Sequence, residues 1–230
     1  MDQVEHHLTR LRLAEGHLLK ALRAQTTPGV RVLTDEELED SLESALRDHD
    51  PRQDLHIFGD GSLMWNPALD TLGQSVARLH GWHRRFCLRL VIGRGTPQNP
   101  GAMLALDEGG ACDGLLFRIE ASKARAEARL LWQREMLTDS YRAQWVPVTA
   151  NGAKIRALTF IVNRRSGRYI GDQPIETLAR LVRTGKGPLG TSRDYFERTL
   201  ETLARLGIRD AGISRLRNAI ELADSADTAA

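Results

Sequence analysis

The amino-acid sequence predicts an α+β fold in which a small mixed β-barrel or curled sheet is flanked by helices and preceded by a helical extension. Between residues 55 and 162, short apolar runs alternate with glycine-rich turns and indicate about six strands, interrupted by one helix. Before and after this region, apolar residues recur every three or four positions, which is typical of amphipathic helices.

The composition is that of an ordinary globular chain. Of its 230 residues, 41% are hydrophobic and 27% are charged, which excludes a disordered or collagen-like protein. A chain of this length buries about 70% of its unfolded surface and needs neither a disulfide nor a structural metal. The 32 basic residues are interleaved with 30 acidic ones, so no block of one sign indicates an arm that binds nucleic acid or membrane.

Nothing in the sequence indicates export or membrane insertion. No run approaches the ~20 apolar residues of a membrane span, and the segment Met1 to Glu5 has neither part of a signal peptide. Cys87 and Cys112 each stand without a nearby cysteine. We therefore expect a cytoplasmic protein whose two thiols are reduced and serve in packing.

The first fifty residues are predicted to form the helical extension. The apolar face of a first helix consists of Val4, Leu8, Leu11, Leu18 and Leu22. This helix stops at Thr26-Thr27-Pro28-Gly29. A second helix opens with a capping box, in which Thr34 and Glu37 satisfy each other's free amides. Pro51 ends it because proline disfavours helical geometry in the preceding residue.

Short apolar segments carry the strand signal. They lie at residues 55–58, 76–79, 86–90, 103–106, 115–119, 145–148 and 155–162. Asn151-Gly152 favours a type I′ turn and is the strongest hairpin signal in the chain. Glu108-Gly109-Gly110 is predicted to be a turn between two strands, and Ser122 is predicted to cap a helix over residues 123–136.

The last third of the sequence returns to helix. Pro174 marks the start of a helix that Gly185 ends, Thr191 or Ser192 caps the next one, and Asp210 caps the last. Residues 224–230 are small and polar and are predicted to form a flexible tail. The expected organisation is an extension over residues 1–50, a globular domain over 51–223 and the tail.

The first candidate for chemistry is the loop Gly59-Asp60-Gly61-Ser62-Leu63, which directly follows a strand. Its glycines allow backbone amides to converge on an anionic group, although a plain turn has the same composition. The segment is also close to the Gly-Asp-Ser-Leu signature of some serine hydrolases, but an extra glycine interrupts it. Such an enzyme needs a histidine base, and all seven histidines lie at or before residue 83.

Glu135 is the second candidate. It shares one helix face with Ala124, Ala128 and Leu131, so the pattern places a carboxylate on an apolar surface. Burial there would raise the pKa of Glu135 and make it a usable base near neutral pH. The alternative is a helix end at which the side chain reaches solvent.

Three other features have simpler explanations. His80 and His83 could be read as a metal pair, but they lack a third ligand at a recognisable spacing. The loop 93–101 lacks the spacing and the terminal lysine of a P-loop. Cys87 alternates with apolar neighbours in a strand, which favours a packing role over a nucleophilic one.

Five blocks of the sequence, in order, resemble the ChaC family, whose members are glutathione-specific γ-glutamylcyclotransferases. They lie at residues 57–67, 80–88, 93–97, 131–136 and 187–195. The first block is similar to the Phe-Gly-Tyr-Gly-Ser-Leu-x-Trp-x-Pro opening of that family. Five ordered blocks are far more specific than any one of them.

This resemblance implies a mixed α/β fold built on a small β-barrel, with a site on the rim of the barrel. It makes Glu135 the catalytic glutamate and Tyr195 a wall of the pocket. The γ-glutamyl-binding loop that it implies consists of Ile57, Phe58, Gly59, Asp60, Gly61, Ser62 and Leu63. The expected partner is a small-molecule substrate, glutathione, and neither nucleic acid nor membrane is expected.

The implied reaction is intramolecular. The α-amine of a γ-glutamyl group attacks its own γ-carbonyl, which gives 5-oxoproline and, from glutathione, Cys-Gly. Because the substrate supplies the proximity, a base such as Glu135 suffices, and no cofactor is expected. The family's loop tyrosine is Asp60 here, and its charge would disfavour the substrate's α-carboxylate. Two alternatives stay open: cyclotransfer from other γ-glutamyl amides, and a non-catalytic regulatory or interaction protein on the same fold.

Overall fold

The computed structural model describes residues 9–24 and 27–228. The strands are β1 (Leu55–Gly59), β2 (Gly73–Leu90), β3 (Gly101–Ile119), β4 (Tyr141–Ala150), β5 (Ala153–Val162), β6 (Lys186–Gly187) and β7 (Gly190–Thr191). The helices are α1 (Arg10–Ala14), α2 (His17–Arg23), α3 (Asp35–Leu46), α4 (Ala124–Glu135), α5 (Ile175–Thr184), α6 (Ser192–Arg205) and α7 (Ala211–Thr228). The predicted positions Val4, Leu8 and Thr26 lie outside the described residues.

Strands β1 to β5 close into a barrel in the order β1-β3-β2-β4-β5. These four neighbouring pairs are antiparallel. Closure comes from a parallel pairing of β5 with β1, through Ile57 and Leu158. The predicted α+β fold with a small mixed barrel and flanking helices is therefore confirmed.

Two of the three buried hydrophobic clusters in the described residues make up most of the core. One takes all of its buried members from β1 to β5, among them Phe58, Leu79 and Ile161, and so fills the barrel, because the inward side chains of a closed barrel come from every strand. The other joins further strand residues such as Phe117 to the helices, including Trp132 of α4. The helices therefore cover the barrel wall.

Strands β2 and β3 are much longer than the sequence predicted, and the expected turn at Glu108-Gly109-Gly110 is wrong. The two strands pair along their length, with a register shift between His80 and Trp82 opposite this segment. Gly81, Gly109 and Gly110 all have positive φ. Glycine adopts this conformation without steric cost, so the ribbon bends here without ending.

Several local predictions are confirmed by backbone geometry. Thr34 and Glu37 form the capping box of α3, and Asn151 and Gly152 both have positive φ, as a type I′ hairpin turn requires. Asp210 accepts a hydrogen bond from the amide of Ile213 at the start of α7. The predicted cap at Ser122 is wrong, because a 3-10 turn over Ala121–Lys123 precedes α4 and the Ser122 hydroxyl donates to Glu120.

The predicted first helix is divided into α1 and α2. Gly16 between them has a φ of 66°, and this left-handed residue changes the phase of the leucine pattern. As a consequence Leu11 is 67% exposed, whereas Leu13 is buried, so the predicted position of Leu11 on the apolar face is wrong.

The C-terminal helix continues further than expected. Residues 224–228, predicted to be a flexible tail, form the last part of α7, while residues 229–230 lie outside the description. Asp224 explains the extension, because it forms ion pairs with Arg183 of α5 and Arg193 of α6. No helix within residues 9–24 and 27–228 is both long and apolar enough to cross a membrane.

Candidate active site

A cavity of about 210 Å³ opens at the end of β1. Its wall draws on parts of the chain that are far apart in sequence. The polar residues that line it are Asp60, Ser62, Asn66, Arg94, Arg134, Glu135, Thr138, Tyr141, Arg168, Tyr195 and Arg198. The cavity thus brings the loop after β1 together with Glu135 and Tyr195, which the sequence predicted to share one site.

The loop after β1 turns sharply into a 3-10 turn over Ser62–Met64. Gly61 permits this turn to sit against the far wall: a Cβ atom there would lie 2.8 Å from Leu104 Cδ1 and 3.3 Å from Tyr195 Oη. A side chain at this position would require the end of Leu104 to move. The glycine therefore lets the backbone approach Tyr195, whereas the predicted convergence of the loop amides on an anionic group stays a prediction.

Glu135 is the last residue of α4 and opens into the cavity. Ala124, Ala128 and Leu131, which share its face, are all buried, and the Glu135 side chain is only 15% exposed. The alternative of a helix end that reaches solvent is thus wrong. Burial raises the pKa of Glu135, and the neighbouring guanidinium of Arg134 opposes that increase without cancelling it.

Arg134 connects Glu135 to the loop after β1. Its Nε lies 2.8 Å from Glu135 Oε1, an ion pair without the alignment of a hydrogen bond. Its Nη2 donates to Ser62 Oγ at 2.8 Å and its Nη1 donates to the carbonyl of Asn66. The side chain is 4% exposed, so one buried guanidinium sets the position of the carboxylate relative to the 3-10 turn.

Asp60 contributes a second carboxylate to the cavity. Its Oδ2 is buried and accepts no hydrogen bond within the described residues. Burial raises the pKa of Asp60 from 3.8 to about 6; Arg84 opposes this increase and Glu135 adds to it. The Asp60 carbonyl accepts a hydrogen bond of 2.6 Å from Arg84 Nε, and Arg84 itself is held by an ion pair with Asp210 at 2.8 Å.

Two tyrosines complete the polar part of the wall. Tyr195 is buried and packs edge-on against Trp65, with ring centroids 5.5 Å apart. Burial, together with the charges of Asp60 and Glu135, raises the pKa of Tyr195. Burial likewise raises the pKa of Tyr141, with contributions from Tyr195 and Glu135. Both phenols are therefore neutral, and the carboxylates of Asp60 and Glu135 line the same small cavity.

Not every residue of the expected loop reaches the cavity. Phe58, Asp60, Gly61, Ser62 and Leu63 line it. Ile57 and Gly59, which flank Phe58 in β1 and pair with Phe117 and Leu115 of β3, do not line it. Direct contact of Ile57 and Gly59 with substrate stays a prediction, and in the structure these two residues fix where the loop begins.

Sequence reasoning missed other residues of this wall. Arg134 stands in one of the five resembling blocks, but nothing in its spacing indicates the contact with Ser62. Tyr141 and Arg168 carry no sequence signal at all. Leu18 and Leu22, from the N-terminal extension, also line the cavity, although their helical spacing predicts only an apolar face.

The alternative chemistries find no support at this site. None of the histidines in the described part of the chain lines the cavity, and the Ser62 hydroxyl is engaged by Arg134. In residues 9–24 and 27–228 no cluster of three His, Cys, Asp or Glu side chains could hold a metal ion. Cys87 is a buried free thiol, and burial raises its pKa to about 12.

Two glycine-containing segments, residues 93–97 and 187–195, meet beside the cavity. A Cβ atom at Gly187 would lie 2.3 Å from the carbonyl oxygen of Gly93 and 2.7 Å from the amide nitrogen of Gly95. Only glycine fits between these backbones. The loop 93–101 is therefore a packed connection, and its residues Gly93 and Arg94 form one side of the cavity.

Comparison with known families identifies the same region. The sequence model of the family described as ChaC-like protein matches residues 55–223. The chain belongs to this family. The match includes the loop after β1, Glu135 and Tyr195, and it excludes α1, α2 and α3.

Individual relatives agree with this ChaC-like assignment. The chain is 42% identical, over 161 residues, to an Escherichia coli protein named glutathione-specific gamma-glutamylcyclotransferase, and the match covers 70% of each chain. It is 27% identical to the human glutathione-specific gamma-glutamylcyclotransferase 1, over 70% of this chain and 74% of the relative. Both relatives match well over half of this chain.

The fold is also similar to that of a solved structure. The yeast gamma-glutamyl cyclotransferase specific to glutathione superposes with a TM-score of 0.68 over 74% of this chain and 96% of its own. The two sequences are 18% identical. At that identity the likeness shows the fold alone.

Proposed function

We propose that this protein is a γ-glutamylcyclotransferase that cleaves glutathione into 5-oxoproline and Cys-Gly. The observation that carries the proposal is the buried carboxylate of Glu135, which faces the loop after β1 across a cavity of about 210 Å³. A carboxylate with a raised pKa in such a place is a candidate general base. The names of the ChaC-like relatives in Escherichia coli and human support the choice of glutathione.

Glu135 has the properties that the proton transfers of this reaction require. The substrate's α-amine is an ammonium ion at neutral pH and must lose a proton before it can attack. Because burial raises the pKa of Glu135, its affinity for protons is closer to that of the ammonium than a solvated carboxylate's would be. In our proposal Glu135 Oε takes the proton and later returns it to the departing amine.

The bond changes balance without a co-reactant. The amine nitrogen forms a bond to the γ-carbonyl carbon, and the amide bond to the cysteine nitrogen breaks. The attacking nitrogen loses two protons as the ammonium becomes the lactam N–H, and Glu135 passes each of them in turn to the cysteine nitrogen. Cys-Gly therefore leaves as an ammonium ion, and the net charge is conserved. Closing the five-membered ring needs only the correct substrate conformer, which is what a small, partly apolar cavity can select.

The surrounding residues have supporting roles in this proposal. Arg134 holds Glu135 at 2.8 Å and Ser62 at 2.8 Å, so it is a positioning residue for both. The first amides of the 3-10 turn over Ser62–Met64 have no partners within that turn and are candidates to bind the oxyanion or the α-carboxylate. Tyr195 and Phe58 form the adjoining wall.

Two further parts of the proposal concern the setting of the reaction. We propose a cytoplasmic location, which the two buried free thiols Cys87 and Cys112 support because thiols stay reduced in that compartment. The retained carboxylate at Glu135 favours catalysis over a non-catalytic role, since burying a charge without a function costs stability.

Product analysis tests the proposal directly. The purified protein is incubated with glutathione, and 5-oxoproline and Cys-Gly are measured over time. We expect the two products in equal amounts. Free glutamate in place of 5-oxoproline would mean hydrolysis and would refute the cyclisation. Turnover of other γ-glutamyl amides, but not of glutathione, would keep the reaction class and overturn the choice of substrate.

A further inference from the structure

Helix α2 of the N-terminal extension forms part of the cavity wall. Leu18 and Leu22 lie four residues apart and so share one face of the helix. Both line the cavity and pack against the main hydrophobic cluster. The ChaC-like match begins at residue 55, so these two leucines belong to a part of the chain that the match does not include.

An ion pair between a partly exposed arginine and a buried carboxylate attaches the extension to the helix that carries Glu135. Arg10 of α1 donates to both carboxylate oxygens of Glu127 in α4. The Glu127 side chain is 1% exposed, and it also accepts a hydrogen bond from the amide of Asp70 at 3.1 Å. A buried carboxylate requires such partners. They fix α1, and with it α2, which also packs on α4.

A backbone bridge makes a second attachment, immediately after Glu135. The amide of Leu33 donates to the carbonyl of Leu137 at 2.9 Å, and the amide of Asp139 donates to the carbonyl of Arg31 at 3.2 Å. Val32 and Thr138 form the antiparallel bridge between them. Leu137 and Thr138 line the cavity themselves. The extension therefore has a defined position relative to the site.

Leu18 and Leu22 give the cavity an apolar surface, in contrast to the carboxylates and tyrosines that line the same cavity. A γ-glutamyl head carries an ammonium and a carboxylate, and both would lose hydration against leucine without compensation. The uncharged part of a γ-glutamyl tripeptide near the reacting amide is the side chain of its second residue. That side chain is the part of the substrate that suits Leu18 and Leu22.

We propose that Leu18 and Leu22 form a subsite for the side chain that follows the scissile amide, so that the N-terminal extension determines which leaving amine the protein accepts. This inference rests on the proposed function. Its ligand class is a small, uncharged side chain such as the thiol-bearing methylene of cysteine. Apolar subsites discriminate a single methylene by roughly 10- to 200-fold, which is enough to select among γ-glutamyl peptides.

Kinetics with three peptides test the proposal. The substrates are glutathione, γ-glutamyl-glycyl-glycine, which has no side chain at this position, and γ-glutamyl-leucyl-glycine, which has a large one. We expect Leu18→Ala and Leu22→Ala each to lower kcat/KM for glutathione about tenfold. The value for the glycine peptide should stay the same, and the leucine peptide should gain relative to glutathione. Leu22→Met, which keeps a large apolar side chain, should retain most of the wild-type kcat/KM for glutathione.

A matched control comes from the same extension. Leu11 is 67% exposed and does not line the cavity, so Leu11→Ala should leave all three kcat/KM values unchanged. If Leu18→Ala and Leu22→Ala lower all three peptides by the same factor, the leucines only support the fold and the subsite is refuted. The subsite is also refuted if both alanine variants keep full activity and the ratios between the three kcat/KM values do not change. A wild-type protein that turns over none of the peptides refutes the proposed function itself.

Discussion

Replacing Asp60 by asparagine should stabilise the protein more at pH 8 than at pH 5. Asp60 Oδ2 is buried without a hydrogen bond, and burial raises the pKa of this carboxyl from 3.8 to about 6. Between these two values the folded protein binds the proton more tightly than the unfolded chain does. Stability therefore falls as the pH rises through this window, and an uncharged amide removes that loss.

The size of the effect follows from the shift in pKa. A shift of about two units corresponds to about 3 kcal/mol at 1.36 kcal/mol per unit, which is the full cost of ionising Asp60 at pH 8. At pH 5 the folded carboxyl is still mostly protonated, and the same linkage gives about 1.6 kcal/mol. The stabilisation by Asp60→Asn should thus differ by about 1.4 kcal/mol between the two pH values.

Urea unfolding of wild type and variant at both pH values measures this difference. The packing of the new amide contributes equally at pH 5 and pH 8 and cancels in the comparison. Asp35→Asn is the control: Asp35 is exposed, and its hydrogen bond to Arg23 lowers its pKa, so it stays ionised throughout and its effect should not change with pH. An Asp60→Asn effect that is equal at both pH values would refute the account of Asp60 as a carboxyl whose pKa burial raises.

Three further substitutions probe the proposed reaction. Glu135→Gln should keep the fold and lower kcat by about 10²- to 10⁴-fold, because an amide cannot accept the ammonium proton; Glu120→Gln on the surface is the control, and more than about a tenth of the wild-type rate would rule Glu135 out as the base. Ser62→Ala should be much milder, since the Ser62 hydroxyl is held by Arg134; a complete loss with an acyl-serine adduct in the mass spectrum would instead indicate a serine hydrolase. Asp60→Tyr should lower KM for glutathione, because it removes the repulsion between the Asp60 carboxylate and the substrate's α-carboxylate. Two such charges ~4 Å apart repel by ~4 kcal/mol, and relief of a quarter of that lowers KM about fivefold. Unchanged kinetics would mean that this side chain does not act on the substrate.

The ends of the strands were harder to predict from the sequence than the strands themselves, and β2 and β3 show why. Glycine at Gly81 and at Gly109-Gly110 is the usual mark of a turn, yet here it bends a long ribbon whose strands continue past it. The distinction depends on whether a partner strand lies opposite, and here the partner lies about thirty positions further along the chain. Single-sequence patterns carry no information about that pairing.

What the sequence determined by itself is local. The Thr34–Glu37 capping box, the Asn151-Gly152 turn and the apolar face that carries Glu135 each depend on residues a few positions apart, whose geometry the backbone fixes directly. The resemblance of five ordered sequence blocks also indicated the family. Only the tertiary structure decided that Asp60 is a buried carboxyl, that Arg134 contacts Ser62, and that Leu18 and Leu22 line the cavity. These features arise because burial and contact are set by chain segments that meet only when the barrel closes and the extension packs against it.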